Sequence, residues 1–382
     1  YARQETGRST MNPADLLADR TRRVEFSGIR KFFELARRMK DPCDLSIGQP
    51  DYDAPDAVKA AAIQAIREGN NRYTPSAGVP ELVERLKAEV RNELGVDAAV
   101  LVTSGVSGGL FLALLATVNP GDEVVFLDPY FVSYLQLTHM IGGRPVPVDA
   151  YPDFRFRPEA VEAAITPRTK ALIINSPANP TGRVMTDGEI EAAAEIARRH
   201  HIALISDEIY AGLCYDGAST CPLPLAPENT VVLRGFGKSF GVTGWRMGYA
   251  AGPAAIIDEM TKLHQYTYVC APAPLQHATL TALETDVSHH RRDYAKKRDL
   301  VCSMLDGHFE IVRPGGGFYV FPRVPSHFSS ASQFCEAAAK EGVLVIPGNV
   351  FSDRDSHFRV SYATTEAILG RGCEVLCRLA KA

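Results

Sequence analysis

One lysine stands in a glycine-rich stretch that follows a short apolar run. Val231, Val232 and Leu233 form the run, which predicts a buried strand, and the residues after it include four glycines, Lys238 and Arg246. Glycines let a ligand approach the backbone closely, and a lysine that faces such a pocket can act as a nucleophilic amine. Most lysines are only surface charges, so Lys238 alone does not establish a catalytic site.

The same stretch matches the last three residues of a phosphate-binding P-loop, GKS at residues 237–239. That motif also needs a glycine six positions before its lysine, where this chain has Val232. The P-loop interpretation is therefore excluded, and Lys238 needs another explanation.

From about residue 99 the chain alternates between short apolar runs and helical patterns. Helices are predicted at residues 106–118, 132–141 and 187–200. Strands are predicted at residues 99–102, 123–127, 170–174, 203–206, 231–233 and 249–251. Their continuous hydrophobicity predicts a mostly parallel sheet that helices cover on both faces. Ligands of such sheets bind at the carboxyl ends of the strands, so the loops after the strands should carry the chemistry.

Those loops contain the residue types that a catalytic site needs. They read TSGVSG (103–108), DPYF (128–131), NSPANPTG (175–182) and DEIY (207–210). The first enters a helix, whose N-terminal N–H groups can bind a phosphate. Taken singly, Asn179 reads as a turn residue, Asp207 as a helix cap, and Tyr210 or Phe131 as packing. Together with Lys238 they bring an acid, an amide, a phenol, an aromatic face and an amine to one edge of the sheet.

Three blocks resemble the signature sequences of class I/II aminotransferases, which are pyridoxal-phosphate enzymes of fold type I. The blocks are SPANPTG (176–182), DEIY (207–210) and GKSFGVTGWRMG (237–248), in the order of that family. The resemblance runs from about residue 45 to 365. It implies an α/β fold with a large domain at residues 46–285, built on a mostly parallel central sheet. Residues 1–45 and 286–382 are expected to form a smaller α+β domain, with helices at about 288–306 and 331–341 and a strand at 315–321.

The resemblance also implies how a pyridoxal 5′-phosphate cofactor is held. Lys238 is expected to form the Schiff base with the cofactor aldehyde and to move the proton between Cα and C4′. Asp207 is expected to pair with the pyridine nitrogen. Asn179 and Tyr210 are expected to hydrogen-bond the phenolic oxygen, and Phe131 to stack on the ring.

The cofactor phosphate is assigned to a second group of residues. Arg246 and the backbone at Gly105, Val106 and Ser107 are expected to bind it. Tyr73 lies in a Tyr-Thr-x-x-x-Gly pattern and is expected to reach the phosphate of the neighbouring subunit. The resemblance therefore implies a homodimer whose active sites are shared between subunits.

Substrate binding is assigned near the C-terminus. Arg359, in FRVS at residues 358–361, is expected to bind the substrate α-carboxylate in a bidentate fork. The Gly48 N–H is expected to support that carboxylate, and Asn179 is assigned to the same site. Ser107 stands where some aspartate-preferring relatives have a lysine, which argues against a dicarboxylate substrate but leaves open an arginine elsewhere that would bind one.

The chain departs from the family at two glycines. Gly235 and Gly237 stand where serines are usual, so a hydroxyl contact to the phosphate is expected to be missing, with Ser107 or a water in its place.

We interpret the chain as an aminotransferase that moves an amino group between an L-amino acid and a 2-oxo acid by ping-pong half-reactions. A β-lyase, decarboxylase or oxidase on the same scaffold stays open, since these enzymes share the cofactor chemistry and differ in the bond that breaks. A non-catalytic ligand-sensing domain is a further alternative, which the intact catalytic set disfavours. The sequence does not identify the amino donor.

Composition and charge argue against several other classes of protein. The 382 residues carry a formal net charge of −4 with both signs interspersed, which argues against nucleic acid or a membrane surface as a partner. The eight cysteines form no CxxC pair and no cluster at metal-binding spacing, so no metal is expected and the thiols are predicted to be free. The longest apolar run, residues 110–118, is too short to span a bilayer. A cytoplasmic protein is expected.

Overall fold

The computed structural model of the chain describes residues 11–26, 28 and 39–381. An amphipathic helix is predicted at residues 30–40, through Phe32, Phe33, Leu35 and Met39, and it lies outside the described residues except for its last two positions.

The centre of the fold is a seven-stranded sheet. Its strands are β2 (Ala99–Ser104), β3 (Glu123–Asp128), β4 (Arg144–Asp149), β5 (Thr169–Asn175), β6 (Ala203–Asp207), β7 (Thr230–Gly235) and β8 (Met247–Gly252). They lie in the order β2-β8-β7-β6-β5-β3-β4. Only β8 runs antiparallel to its neighbours, β2 and β7, so the prediction of a mostly parallel sheet is confirmed.

Strand β4 was not predicted from the sequence. It contains Pro145 and Pro147, which lack a backbone N–H and are depleted in strands. The strand lies at one edge of the sheet and pairs only with β3, so these prolines leave no neighbour without a hydrogen bond.

Helices cover both faces of this sheet. They are α2 (Asp56–Arg67), α3 (Pro80–Leu94), α4 (Gly105–Thr117), α5 (Val132–Met140), α6 (Pro158–Ala163), α7 (Asp187–Arg199), α8 (Ala254–Thr267) and α9 (Ala273–Glu284); the short α1 (Asp19–Arg23) precedes them. Helix α4 is apolar on all sides and packs with α8 on one face, over Ile205 and Leu233. Helix α7 covers the other face, where Leu172 and Leu204 join its apolar side. These helices leave the carboxyl ends of the strands free for a ligand site.

Residues after 286 form a second region with its own core. Its helices are α10 (Ser288–Leu305), α11 (Ala331–Lys340) and α12 (Glu366–Lys381). Its strands are β9 (Tyr319–Val320), β11 (Ile346–Pro347) and β12 (Phe358–Ser361), which form one small sheet, and β10 (Val343–Leu344), which pairs with β1 (Cys43–Asp44). The strand expected at residues 315–321 is only two residues long, because Gly316 and Gly317 accompany the loop after Asp207 instead of pairing with β12.

Three further findings concern the described residues. All eight cysteines are free, and six of them are buried. No helix among the described residues has the length and apolar character needed to span a membrane. In the same part of the chain, no group of three or more His, Cys, Asp or Glu side chains has an arrangement that could bind a metal ion.

Candidate active site

A cavity of about 300 Å³ lies at the carboxyl ends of the central strands, where the second region covers them. Its size is at the small end of the range for small-molecule sites. It is lined by Gly48, Gln49, Gly105, Val106, Ser107, Phe131, Asn175, Asn179, Asp207, Ile209, Tyr210, Gly237, Lys238, Val242, Thr243, Arg246, Met247, Tyr319 and Arg359. Every site residue that the sequence predicted is in this set except Tyr73. The packing therefore brings together residues that are up to 311 positions apart, Gly48 and Arg359.

Lys238 points its amine into the cavity. It follows the end of β7 by three residues, and its Nζ donates a hydrogen bond to the carbonyl oxygen of Gly48. Burial, with smaller contributions from the cations of Arg359 and Arg246, lowers the pKa of Lys238 to about 8. A substantial fraction of the amine is then neutral near pH 8, which a nucleophile or a general base requires.

Asp207 is a buried acid at the end of β6. Tyr134 on α5 donates to its Oδ2 over 2.8 Å, and the backbone N–H of Ile209 donates over 3.3 Å. Burial raises the pKa of Asp207 to about 6 despite these bonds and the positive charge of Lys238. A carboxylate in this position needs a cationic partner to stay ionised well below neutral pH.

Arg359 is a buried cation without a carboxylate partner in the described part of the chain. It lies on β12 and is 1% exposed. Its Nη1 donates to Oδ1 of Asn179 and its Nη2 to the carbonyl oxygen of Ser46, both over 2.9 Å, while Nε has no hydrogen-bond partner. A buried guanidinium with an unused N–H donor lowers the stability of the fold unless an anionic ligand accepts a hydrogen bond from it and balances its charge.

Asn179 is held by the loop that follows β5. Its backbone N–H donates to Oδ1 of Asn175 over 2.9 Å, and Asn175 in turn donates to the carbonyl oxygen of Asp207 over 2.8 Å. Oδ1 of Asn179 accepts from Arg359, so the side-chain N–H groups of Asn179 are available to donate to a ligand. The asparagine thus connects the acid end and the cation end of the cavity.

Two tyrosines form the wall between Lys238 and Arg359. The hydroxyls of Tyr210 and Tyr319 lie 3.1 Å apart, and both side chains are buried. The guanidinium of Arg359 lies 4.3 Å from the ring centroid of Tyr319, which keeps the arginine in place by cation–π contact. Burial raises the pKa of both tyrosines, so their hydroxyls stay protonated.

The opposite end of the cavity is built for an anion. Helix α4 begins at Gly105, and the backbone of Val106 and Ser107 lines the cavity at its N-terminus. Arg246 lies against that terminus: a Cβ on Gly105 would be 2.6 Å from its Nη2, so only glycine lets the guanidinium approach. Phe131, which precedes α5, supplies an aromatic face to the same cavity.

Two predicted residues need comment. The Gly48 carbonyl is engaged by Lys238, and the role predicted for its N–H is not tested by this contact. Tyr73 is 83% exposed and lies outside the cavity of its own chain. That position leaves its ring free to contact another subunit, and the contact stays a prediction.

Sequence reasoning missed four residues that shape the site: Tyr134, Asn175, Gln49 and Tyr319. For Tyr134 a signal existed, since it follows Phe131 by three positions at the start of a helix and therefore shares its face. Asn175 stands within the NSPANPTG block. Nothing local distinguishes Gln49 or Tyr319 from ordinary loop and strand residues.

The cavity thus combines an amine, a buried acid and two arginines, a set suited to acid–base chemistry on an anionic ligand. Comparison with known proteins specifies the class. The family model described as "Aminotransferase class I and II" matches residues 40–376. The aspartate/prephenate aminotransferase of Thermus thermophilus is 40% identical, with 91% of this chain and 94% of that protein covered. The aromatic-amino-acid aminotransferase 2 of Thermococcus litoralis is 35% identical over the same shares of the two chains.

The solved structures agree. The aspartate aminotransferase of Thermus thermophilus with maleate superimposes with a TM-score of 0.91 at 38% identity, covering 95% of this chain and 99% of that one. The chain belongs to the class I and II aminotransferases and has their fold type I architecture. It is an aminotransferase, which confirms the sequence-based interpretation of the enzyme class. Enzymes of this family depend in general on pyridoxal phosphate and act on amino acids and 2-oxo acids.

Proposed function

We propose that this chain binds pyridoxal phosphate in the cavity around Lys238 and transfers an amino group from an L-amino acid to a 2-oxo acid by a ping-pong mechanism. The observation that carries the proposal is the charge pattern of the cavity. Lys238, Arg246 and Arg359 oppose a single acid, Asp207, and the hydrogen bonds of these cations go to carbonyl and amide oxygens. The excess positive charge suits a phosphate together with a carboxylate.

The donor set fits the cofactor group by group. The Lys238 amine suits an aldehyde, and the N-terminus of α4 with Arg246 suits a phosphate. Burial raises the pKa of Asp207, and a protonated pyridine nitrogen beside it would favour the ionised carboxylate. When bound, pyridoxal phosphate supplies an electron sink for the negative charge that develops at the substrate Cα.

The remaining steps are assigned to residues of the chain. Arg359 binds the substrate carboxylate and orients Cα toward Lys238. Its Nε–H has no hydrogen-bond partner among the described residues, and Nη1 and Nη2 each use only one of their two N–H groups. Lys238 Nζ takes the proton from Cα of the amino donor and, in the second half-reaction, gives a proton to Cα of the acceptor, for which a pKa of about 8 is suitable. Asn179 and Tyr210 would hold the ring oxygen of the cofactor through their N–H and O–H groups, and Phe131 would restrict the ring face.

We also propose two domains, at residues 46–285 and at residues 1–45 with 286–382, and a homodimer. The site supports the first point, since Lys238 and Asp207 come from the central sheet while Arg359 and Tyr319 come from the second region. The exposure of Tyr73 supports the second point.

The decisive experiment measures amine exchange. Purified protein with pyridoxal phosphate is incubated with an isotopically labelled amino acid and a 2-oxo acid, using aspartate and aromatic donors because relatives are named for them. We expect transfer of the label to the acceptor. Release of ammonia or carbon dioxide, or consumption of oxygen, without transfer would favour the β-lyase, decarboxylase or oxidase alternatives.

Lys238→Ala is the matching variant. We expect transfer to fall by roughly 10²–10⁴-fold, since general acid–base catalysis contributes about that much, and the visible absorption of the lysine-bound cofactor to disappear. Lys262→Ala is the control, because Lys262 is a surface lysine paired with Glu259. Visible absorption that persists in Lys238→Ala would refute the assignment of the lysine.

A further inference from the structure

Residues 48–52, here called the 48–52 loop, contact Lys238 at both of its ends. The Gly48 carbonyl accepts a hydrogen bond from Nζ. The Tyr52 hydroxyl donates to the main-chain carbonyl oxygen of Lys238 over 2.6 Å and lies 3.3 Å from the carbonyl oxygen of Ser239. One loop therefore holds the tip of the lysine side chain and the backbone from which it starts.

We propose that Tyr52 is a positioning residue that fixes the backbone of Lys238 and thereby the direction in which the amine points. This inference rests on the proposed role of Lys238. The Gly48 contact involves Nζ itself and is made by the free amine, whereas the Tyr52 contact is to the backbone and does not depend on what Nζ binds. Tyr52 thus keeps the amine directed to the same place in every half-reaction, which proton transfer between defined atoms requires.

The phenol of Tyr52 is held in place by helix α10. The rings of Tyr52 and His290 are parallel, with centroids 3.4 Å apart and planes 3° apart. The neighbouring Asp51 accepts from the hydroxyl of Tyr294 over 2.9 Å and pairs with Lys297 over 2.5 Å. Three side chains of α10 therefore fasten two consecutive residues of the loop.

The backbone on the lysine side packs against Tyr52 as closely as sterics allow. Gly241 has φ +69°, and a Cβ at this position would lie 2.6 Å from the Tyr52 carbonyl oxygen and 3.0 Å from its Cδ2. Residues 238–241 therefore turn directly over Tyr52. Burial also raises the pKa of the Tyr52 phenol, so the hydroxyl keeps the proton that it donates.

Tyr52→Phe tests the inference, because it keeps the ring and its contact with His290 and removes only the hydrogen bond. We expect kcat to fall by about three- to tenfold with KM within about twofold, the effect of one lost hydrogen bond on a reacting geometry. In the cofactor-loaded protein, the midpoint pH of the visible absorption should shift. The rate at which pyridoxal phosphate and borohydride label Lys238 should fall.

Tyr151→Phe is the matched control. The Tyr151 hydroxyl is also buried, makes no contact with Lys238 or the 48–52 loop, and belongs to a residue that lines a different cavity. We expect all three readouts of this variant to match the unmodified protein.

Tyr294→Phe provides a second test that leaves Tyr52 intact, since it removes a bond to Asp51 and loosens the loop from α10. We expect a smaller effect in the same direction. Unchanged kcat, absorption midpoint and labelling rate in a folded Tyr52→Phe protein refute the inference. If Tyr52→Phe does not fold, unchanged readouts in Tyr294→Phe refute it.

The labelling rate separates this inference from the proposed function. Labelling of Lys238 needs only the cofactor and the lysine, so it can be measured even if no amine exchange is found. Failure of the exchange assay with slowed labelling in Tyr52→Phe would overturn the proposed function and retain the positioning role.

Discussion

Asp207 and Arg359 are buried in the cavity, and neither is hydrogen-bonded to a side chain of opposite charge among the described residues. Asp207 is buried beside a phenol, and Arg359 is buried beside an amide and a carbonyl. Neither forms an ion pair with the other in the described structure, although both line the same cavity. Buried charges of this kind reduce the stability of the free protein, and ligands that complete them recover it. The ligand-binding site is therefore also a local weak point of the fold.

Asp207 provides a pH test of this point. Its pKa is raised to about 6 in the folded protein from 3.8, so the folded state binds the proton more tightly than the unfolded state does. The resulting stability is present below about pH 4 and is lost as the pH rises through 6, on the order of 2–3 kcal/mol in total. Asparagine carries no charge at either pH. In cofactor-free protein, the free energy of unfolding of Asp207→Asn minus that of the unmodified protein should therefore be larger at pH 7 than at pH 4.

Urea unfolding at the two pH values measures this difference. Subtracting the free energy of unfolding of the unmodified protein from that of Asp207→Asn removes the contributions of the other carboxylates, which titrate in both proteins. The same difference between the two proteins at pH 4 and pH 7 would contradict a raised pKa for Asp207.

Among the elements, the turn that follows β7 shows why the two glycines before Lys238 are not equivalent. A Cβ on Gly235 would lie 2.9 Å from Ile209 Cδ1 and from Val106 Cγ2, and 3.3 Å from the Met247 carbonyl oxygen. A Cβ on Gly237 would meet its nearest atom, Thr243 Cα, at an ordinary distance of 3.4 Å. The serine expected at residue 235 does not fit this packing, whereas a serine at residue 237 does.

We therefore expect opposite results from two serine substitutions. Gly235→Ser should destabilise the protein by about 1–3 kcal/mol, as overpacking does in other cores, and should weaken cofactor binding. Gly237→Ser should change stability by less than about 1 kcal/mol, since it replaces a glycine without a clash. Thermal unfolding and cofactor titration, followed by the fluorescence of the single tryptophan, Trp245, check both. Equal destabilisation by the two variants would show that the packing around β7 is not the cause.

At the scale of the whole molecule, the site is open on the side of Arg246 and Ser107. Both side chains are exposed in the single chain although both line the cavity. The aromatic side chains of Tyr73 and Tyr266 are 83% and 82% exposed. A second copy that covers this side would complete the phosphate end of the site with the partner's Tyr73.

Hybrid dimers test this arrangement. Lys238→Ala and Tyr73→Ala chains are each defective in cofactor binding, and they are mixed and allowed to exchange subunits. If Tyr73 acts across the interface, each mixed dimer contains one site with neither change, so about one quarter of all sites should bind normally in a random mixture. If Tyr73 acts within its own chain, every site carries a defect and no binding is recovered. Cofactor titration of the mixture distinguishes the two.

The sequence by itself determined the chemistry and the general architecture. Continuous apolar runs predict buried parallel strands, because both faces of such strands must be covered. The residues that follow these runs lie at one sheet edge whatever the details of the packing. For this reason the sequence predicts that Lys238, Asp207 and Asn179 lie at one sheet edge, the resemblance to class I/II aminotransferases adds Arg246 to the site, and the structure brings all four together.

The tertiary structure alone decided which side chains hold those residues in position. Tyr134 and Asp207 are 73 residues apart, and Tyr52 and Lys238 are 186 apart. Such contacts depend on how whole helices and loops pack, and local propensity carries no information about them. The same holds for β4. Its prolines argue against a strand in the sequence, and only its place at the edge of the sheet explains why a strand forms there. Sequence spacing identified the reactive groups, and only packing across the fold determined their direction, their pKa and their partners.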